Sequence, residues 1–388
     1  MKILYCCPTF YPENSGYANA FLGLLSAIEN NYTDKDLSIE VVALNHCSIV
    51  ENPIKYKIHS YSKRETYFLQ WLIAFKLKRL IKHNNFDFIF FETLEYPLIV
   101  YLLSLFFKNK LIIRLHATTE TEHFIYEHKF RNIVKRNFIK HFLSRKIKYI
   151  SATSSYHIDF YKKHYLSGNL FNIASKNFFV IPNTIFGEAK IINLVDKLKN
   201  KKPYSEKIKL ILLGRQNLGG VSQKGFLDFI YAFNLLRTDL RSKFDITIIG
   251  DGSEHERLLY AARNLKQIKF VKKMTNEETI SSLILSDVSV LVSRFEGLSM
   301  FALESLLCET AVLFTKTGGL VDLMEQNGVF VRTQDIEQIA RALEYFANLT
   351  KDEMLRLNVN SKIKYMSAYS NVEVAHKFYA ILNLIIES

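Results

Sequence analysis

The chain has 388 residues, 48% of them hydrophobic and 23% charged, a globular composition too long for one ordinary core. Six prolines and fourteen glycines leave little room for long disordered tracts. The net charge of +13 is uneven: residues 1–200 carry 27 Lys+Arg against 16 Asp+Glu, and residues 201–388 carry 24 against 22. A basic first half asks for an anionic partner there: a membrane surface, a phosphorylated acceptor or nucleic acid. The cysteines Cys6, Cys7, Cys47 and Cys308 show neither zinc-like spacing nor a disulfide framework, which fits a reducing cytoplasm. Met1 to Phe10, broken by Pro8, does not read as a signal peptide. The longest apolar run, Pro97 to Phe107, is too short to span a bilayer, so a soluble or peripheral cytoplasmic protein is expected.

Taken in chain order, the pattern alternates strand and helix, pauses, and starts again. Ile3–Cys6 reads as a buried strand, Tyr17–Glu29 as a helix, Ile39–Leu44 as a strand and Tyr67–Ile81 as a helix. Phe86–Phe91 is a predicted strand, Leu98–Phe107 a helix and Leu111–Leu115 a strand, with Lys148–Ala152 and Phe178–Ile181 as later strands. Residues 186–206, crowded with Lys197, Lys199, Lys201 and Lys202 before Pro203, read as a polar connection and place the domain boundary. The alternation resumes with the strand Ile208–Leu213, the helix Phe226–Leu236, the strand Phe244–Ile249 and the helix Glu254–Leu265. It continues with the strand Val288–Val292, the helix Met300–Leu307, the strand Ala311–Phe314, and helices over Asp335–Leu349 and Val372–Ile386. Short apolar strands between longer helices predict an α/β chain of two doubly wound Rossmann-like domains. The expected domains are 1–190 and 205–370, with 371–388 a C-terminal helix placed to pack back on the first. A ligand is expected between them, at the carboxyl ends of the strands.

The stretch Arg294-Phe295-Glu296-Gly297-Leu298-Ser299-Met300-Phe301-Ala302-Leu303-Glu304-Ser305 follows a predicted strand and runs into a helix. Gly297 lets the backbone approach a ligand, and the N–H groups near Ser299 and Met300 suit a phosphate at the helix start. On spacing alone, a helix with a charged start explains the two glutamates equally well. The loop Leu213-Gly214-Arg215 through Lys224-Gly225 holds an Arg and a Lys that can surround a diphosphate, or simply face solvent. Gly250-Asp251-Gly252 reads as a tight turn before a helix, and Thr317-Gly318-Gly319 as another loop after a strand. In the first half, Asn14-Ser15-Gly16-Tyr17 follows strand one, and His116 ends the strand Leu111–Leu115. Thr153 and Ser154 close the strand Lys148–Ala152, and Ile181-Pro182-Asn183-Thr184 follows the last strand of the half.

Together these residues resemble the glycosyltransferase family called group 1 or family 4, which has the GT-B fold and retains anomeric configuration. Glu296 and Glu304 match its Glu-x7-Glu signature, and Arg215…Lys224-Gly225 its Gly-Arg…Lys-Gly segment, here with an extra Gly-Gly. The resemblance implies catalytic roles at the donor sugar for His116 and Glu296, and ribose hydrogen bonds to Glu304. It implies donor binding by Gly16, Arg215, Lys224, Gly250, Gly252, Ser299 and Met300. It implies transfer from a nucleotide-sugar, by family frequency a UDP-sugar, to a saccharide or lipid-linked acceptor, with no metal and no cofactor. Retention by front-face attack, with the leaving phosphate taking the acceptor's proton, explains why no protein nucleophile stands out. Asp322 stands where the family has Glu, Thr184 where it has Gly, and one Gly near residue 16 where it often has two.

Other classes fit less well. A nicotinamide-dependent oxidoreductase would show Gly-x-Gly-x-x-Gly after a strand, and Gly250-x-Gly252 lacks the third glycine. The phosphate-loop pattern of kinases is absent, and no nucleic-acid-binding signature is present. A nucleotide-sugar epimerase of the same fold and a non-catalytic partner that kept the fold remain as alternatives. The segment Lys129 to Lys148 interleaves Lys135, Arg136, Lys140, Arg145 and Lys146 with Phe130, Val134, Phe138 and Phe142 and has no acidic residue. It reads either as a helix lying on an anionic membrane or as one packed on the sheet with solvated lysines.

Overall fold

The computed structural model describes residues 1–8, 10, 16–31, 37–44, 56–116, 130–166, 176–199 and 206–387. The chain divides into two compact units, Met1–Phe186 with Val374–Ser388, and Gly187–Glu373.

The first unit is built on a seven-stranded, all-parallel sheet: β1 (Lys2–Cys7), β2 (Ser38–Ala43), β3 (Lys57–Ser60), β4 (Phe88–Phe91), β5 (Leu111–Leu115), β6 (Tyr149–Ala152) and β7 (Asn177–Val180). Its order is β3-β2-β1-β4-β5-β6-β7, so the winding reverses between β1 and β4. The central strands are apolar because both faces are covered: Cys6 packs into one core and Cys7 into the other. On one face lie α2 (Lys63–Phe68), α3 (Gln70–Asn84), α4 (Pro97–Phe107) and α5 (Phe130–Phe138), the last continued by a π-helical turn over Ile139–Leu143. On the other face lie α1 (Gly16–Asn30) and residues of the C-terminal helix, treated below. The β6–β7 connection includes α6 (Ser155–Tyr161). The helix expected over 67–81 is interrupted at Leu69, whose φ of −116° and ψ of 35° lie outside the helical region. Ser62 and Glu65 form a capping box that starts a separate short helix before it.

The second unit has a six-stranded parallel sheet of order β10-β9-β8-β11-β12-β13. Its strands are β8 (Ile208–Leu213), β9 (Phe244–Ile249), β10 (Ile268–Val271), β11 (Val288–Leu291), β12 (Ala311–Thr315) and β13 (Gly328–Val331). The winding reverses between β8 and β11. The edge strands β3, β10 and β13 were not among the predicted elements, because half-exposed edges lack the continuous apolar run of central strands.

The segment expected as a polar connection is instead largely helical. Helix α7 (Glu188–Lys199) buries Glu188, Ile191 and Val195 at helical spacing, while Lys190, Asn193, Asp196 and Lys197 face solvent. Of the lysines that suggested a linker, Lys197 lies on the wet face of this amphipathic helix. Lys201, Lys202 and Pro203 lie outside the described residues. The second unit continues through α8 (Leu218–Lys224), α9 (Phe226–Leu235), α10 (Thr238–Arg241), α11 (His255–Ala262), α12 (Asn276–Ile284), α13 (Met300–Leu307), α14 (Ile336–Asn348) and α15 (Lys351–Ala368). The last helix, α16 (Asn371–Glu387), starts in the second unit and buries Val374, Phe378, Ile381, Leu382 and Ile385 in a core of the first.

Candidate active site

In the second unit the site is assembled by glycines. Gly225 ends α8 and begins α9 at φ +66°, and a Cβ there would stand 2.2 Å from the carbonyl oxygen of Val292. The close approach seats the Lys224–Gly225 corner on the end of β11. Two contacts lock it there: Arg294 N–H donates to the Gln223 carbonyl at 2.8 Å, and the Gln223 side chain donates to the Phe295 carbonyl at 3.4 Å. Lys224 and Glu296, distant in sequence, therefore meet: Nζ lies 2.6 Å from Oε2 of Glu296, which also accepts from Ser293 Oγ at 3.2 Å. Arg294 turns away to a two-pronged contact with Asp228.

The Glu296 corner is backed by the third loop. Gly318 sits at φ +54°, and a Cβ there would come within 1.7 Å of the Glu296 carbonyl oxygen. Gly319 N–H donates to the Gly297 carbonyl at 3.1 Å, and Thr315 Oγ1 donates to the Ser293 carbonyl at 2.6 Å. The Thr317-Gly318-Gly319 loop is thus the support on which Glu296 rests. Asp322 lies in the following 3-10 turn, where its carbonyl accepts from Tyr369 OH at 3.0 Å.

Gly250 and Gly252 pack in the same manner against the other side of the β8 loop. A Cβ at Gly250 would meet the Gly214 carbonyl oxygen at 2.0 Å, and one at Gly252 the Asn217 nitrogen at 2.4 Å. Between them Gln216 is fully buried: Oε1 lies 2.5 Å from His255 Nδ1, while its Nε2 has no hydrogen-bond partner among the described residues. Gln216 and His255 were not singled out from sequence, since neither belongs to a charged pattern. Arg215 is exposed at the mouth of the same loop. Ser299 precedes α13 without capping it through its side chain, leaving the first turn open at Met300. One turn further in, Glu304 is half-buried with no ion pair or hydrogen bond among the described residues, and desolvation pushes its carboxyl up to about 7.

In the first unit His116 follows β5 and is buried. Tyr17 lies against its ring at 4.3 Å between centroids and donates through OH to the Glu92 carbonyl at 3.2 Å. Arg114, in the middle of an apolar strand, is fully buried and pairs with Glu92 at 2.8 and 3.2 Å. Its other prong reaches the Ile181 and Pro182 carbonyls and Oδ1 of Asn183. Burial holds the His116 imidazole well below its ordinary value, and the charges of Arg114 and His157 act the same way, so the ring is neutral. Its Nε2 is buried without a hydrogen-bond partner among the described residues and stands 3.7 Å from Glu92 Oε2. Burial raises the Glu92 carboxyl, against the pull of Arg114. Neither Glu92 nor Arg114 was singled out from sequence, although a lone arginine inside Leu-Ile-Ile-Arg-Leu was a readable signal. Ser154 and Thr153 hold His157 Nδ1 at 2.6 and 3.3 Å. Gly16 opens α1, and no described residue comes within 4 Å of a Cβ added there. Asn14, Ser15 and residues 117–120 lie outside the described residues.

Two doubly wound parallel sheets in succession place the chain in the GT-B class of fold, and solved structures match it along its whole length. A glycosyltransferase from Rickettsia africae superposes with a TM-score of 0.72 at 16% identity, covering 100% of this chain and 99% of that one. Anabaena HepE in complex with UDP superposes with a TM-score of 0.71 at 14% identity, covering 99% and 100%. Within the second unit, residues 196–363 match the family model described as glycosyl transferases group 1. An uncharacterized glycosyltransferase of Methanocaldococcus jannaschii is 28% identical over 159 residues. The glycogen synthase of Mycobacterium tuberculosis is 28% identical over 148 residues, 37% of this chain and 34% of that protein. The chain matches 40% of the length of the archaeal relative, over 40% of its own.

Proposed function

We propose that the protein is a retaining glycosyltransferase of the hexosyltransferase kind, moving a sugar from a nucleoside-diphosphate donor, a UDP-sugar, to a saccharide or lipid-linked acceptor in cell-surface polysaccharide synthesis. The observation that carries this reading is the Lys224–Glu296 pair, 2.6 Å apart at the strand-order reversal of the second unit and held there by Gly225 and Gly318. Ligands of doubly wound sheets bind at that reversal. HepE, of the same fold, was solved with UDP-glucose bound.

In this reading the second unit binds the donor. Lys224, Arg215 and the open first turn of α13 at Ser299 and Met300 take the diphosphate. Gly250 and Gly252 line the nucleotide side, Glu304 accepts from the ribose hydroxyls, and Glu296 holds the sugar. On the first unit, Gly16 approaches the phosphate and His116 offers its free Nε2 to a sugar hydroxyl. The bond from the sugar's anomeric carbon to the diphosphate breaks, a bond to the acceptor oxygen forms on the same face, and the acceptor's proton passes to the departing phosphate oxygen. Charge builds on the leaving diphosphate, so preorganised cations lower the barrier most. Retaining chemistry by this route needs no protein nucleophile, metal or cofactor.

A lipid-linked acceptor puts the protein at the inner face of the cell membrane, with residues 129–148 as a contact. Among the described residues no helix is long and apolar enough to cross a bilayer. Titration with UDP, GDP and dTDP, each with its sugars, followed by the melting temperature, identifies the donor. Product analysis then separates transfer from epimerisation. Loss of every nucleotide response in Lys224→Ala is expected to track loss of turnover. A nucleotide response unchanged by that substitution would overturn the site.

A further inference from the structure

One face of the first unit presents rings that no core needs. Helix α3 turns Ile73, Ala74, Leu77 and Ile81 inward, and together with Ile99, Val100 and Leu103 of α4 they complete the core on that side of the sheet. Yet Trp71 is 60% exposed, Phe75 55%, Phe106 54%, Phe130 81% and Phe142 55%. On α3 the outward residues form a single stripe at steps of three and four: Trp71, Phe75, Lys78 with Arg79, and Lys82. Aromatic rings occupy its first half and cations its second.

The helices join into a continuous surface. Lys78 Nζ stands 3.3 Å over the Phe106 ring, linking α3 to α4. Tyr101 meets Phe138 edge-on at 5.5 Å, linking α4 to α5, and Phe138 stacks on the exposed Phe142 at 5.5 Å. The sequence carries no Asp or Glu within 66–86, 96–116 or 130–158, so every ionised side chain these helices offer is basic. Lys129 and the side chain of Arg131 lie outside what the structure describes.

We propose that this composite face, anchored by Trp71 and Phe75 on α3, docks the protein on an anionic phospholipid bilayer. The proposal extends the membrane contact at 129–148 put forward above and names α3 and α4 as its larger part. A bilayer interface takes aromatic rings at the headgroup level and lysine or arginine at the lipid phosphates, the pairing that α3 and α5 show, with α4 adding Phe106 beneath Lys78. A second copy would set basic surface on basic surface, and like charges oppose that contact. The rings are single exposed side chains rather than a groove, which suits a soft partner.

Trp71 is the only tryptophan in the chain, so its emission reports this face alone. With vesicles of phosphatidylcholine containing phosphatidylglycerol, the emission is expected to shift to the blue and to be quenched by brominated acyl chains. Partitioning is expected to fall tenfold or more when Lys78, Arg79 and Lys82 become Glu, and to weaken with salt. Phe75→Ser tests the apolar half without touching charge and is expected to cut partitioning several-fold. Retained nucleotide titration in each variant shows that the fold and the donor site are intact, so failure of docking is read apart from failure of the donor site. Equal partitioning into pure phosphatidylcholine, an unshifted Trp71 emission, or vesicle binding unaltered in both variants would overturn the proposal. So would self-association or RNA binding that the variants abolish while vesicles give no response.

Discussion

At the scale of single residues, two glutamates of the second unit differ in kind. Glu296 shares its charge with Lys224 and Ser293, whereas desolvation alone acts on Glu304. A carboxyl raised from 4.5 to about 7 keeps its proton in the folded state across a range where the unfolded chain has lost it. Its contribution therefore becomes less favourable as pH rises from about 4.5 through about 7 and is constant above that. Glu304→Gln is expected to raise the melting temperature by a few degrees, roughly, at pH 8 and to leave it unchanged at pH 4. Two ribose hydroxyls can both donate only to the ionised carboxylate, so nucleotide affinity is expected to rise through pH 7 and to lose that dependence in the Gln variant. Calorimetric titration at both pH values checks this; a flat wild-type profile would remove Glu304 from the ribose. Lys224→Ala is expected to lower kcat/KM about a hundredfold or more, about 2–4 kcal/mol of transition-state stabilisation, with circular dichroism unchanged.

At the scale of elements, the loops rather than the helices carry the specification. Gly318 has φ +54° and no room for a Cβ, so Gly318→Ala is expected to destabilise the second unit by about 2 kcal/mol or more and to displace Glu296. Gly16→Ala meets no described residue and is expected to leave stability alone; any loss it causes is then a loss of donor approach, visible in KM. Denaturant midpoints and kinetics on the pair separate the two kinds of glycine. Central strands and the Glu296–Glu304 stretch were legible because burial on both faces writes a continuous apolar run, and a turn between strand and helix writes glycine. Edge strands, the amphipathic α7 and the break at Leu69 were not, since half-exposed elements mix apolar and charged residues as linkers do. The contact of Lys224 with Glu296 could not be read from spacing: it depends on two strands of opposite winding ending side by side. Glu92, Gln216 and His255 escaped for the same reason, being joined to their partners only by the folded sheets, whereas Arg114 carried a signal of its own, a cation inside an apolar strand.

At the scale of the molecule, each unit has its own core, and the chain's last helix belongs to the first. Phe378 stacks on Phe90 at 5.3 Å between centroids, and Tyr379 OH donates to the Ile28 carbonyl at 2.8 Å. Val374, Ile381, Leu382 and Ile385 fill the same core beside β1 and α1. Ending the chain after Ser370 would uncover that apolar surface, at about 1.5–3 kcal/mol for each large side chain, more than a domain of ordinary stability can lose. The second unit keeps its sheet, its glycine corners and the Lys224–Glu296 pair, all within Gly187–Glu373. Scanning calorimetry of the full chain is expected to show two transitions, of which UDP raises the one belonging to the second unit. The shortened chain is expected to lose the first-unit transition, or to show it many degrees lower, while keeping the UDP-responsive one. Amide exchange gives the same answer by position: fast exchange in β1, β4 and β5 with protection retained in β8, β11 and β12. Equal loss of protection in both sheets would show that the two units fold as one body and that α16 holds more than the core it fills.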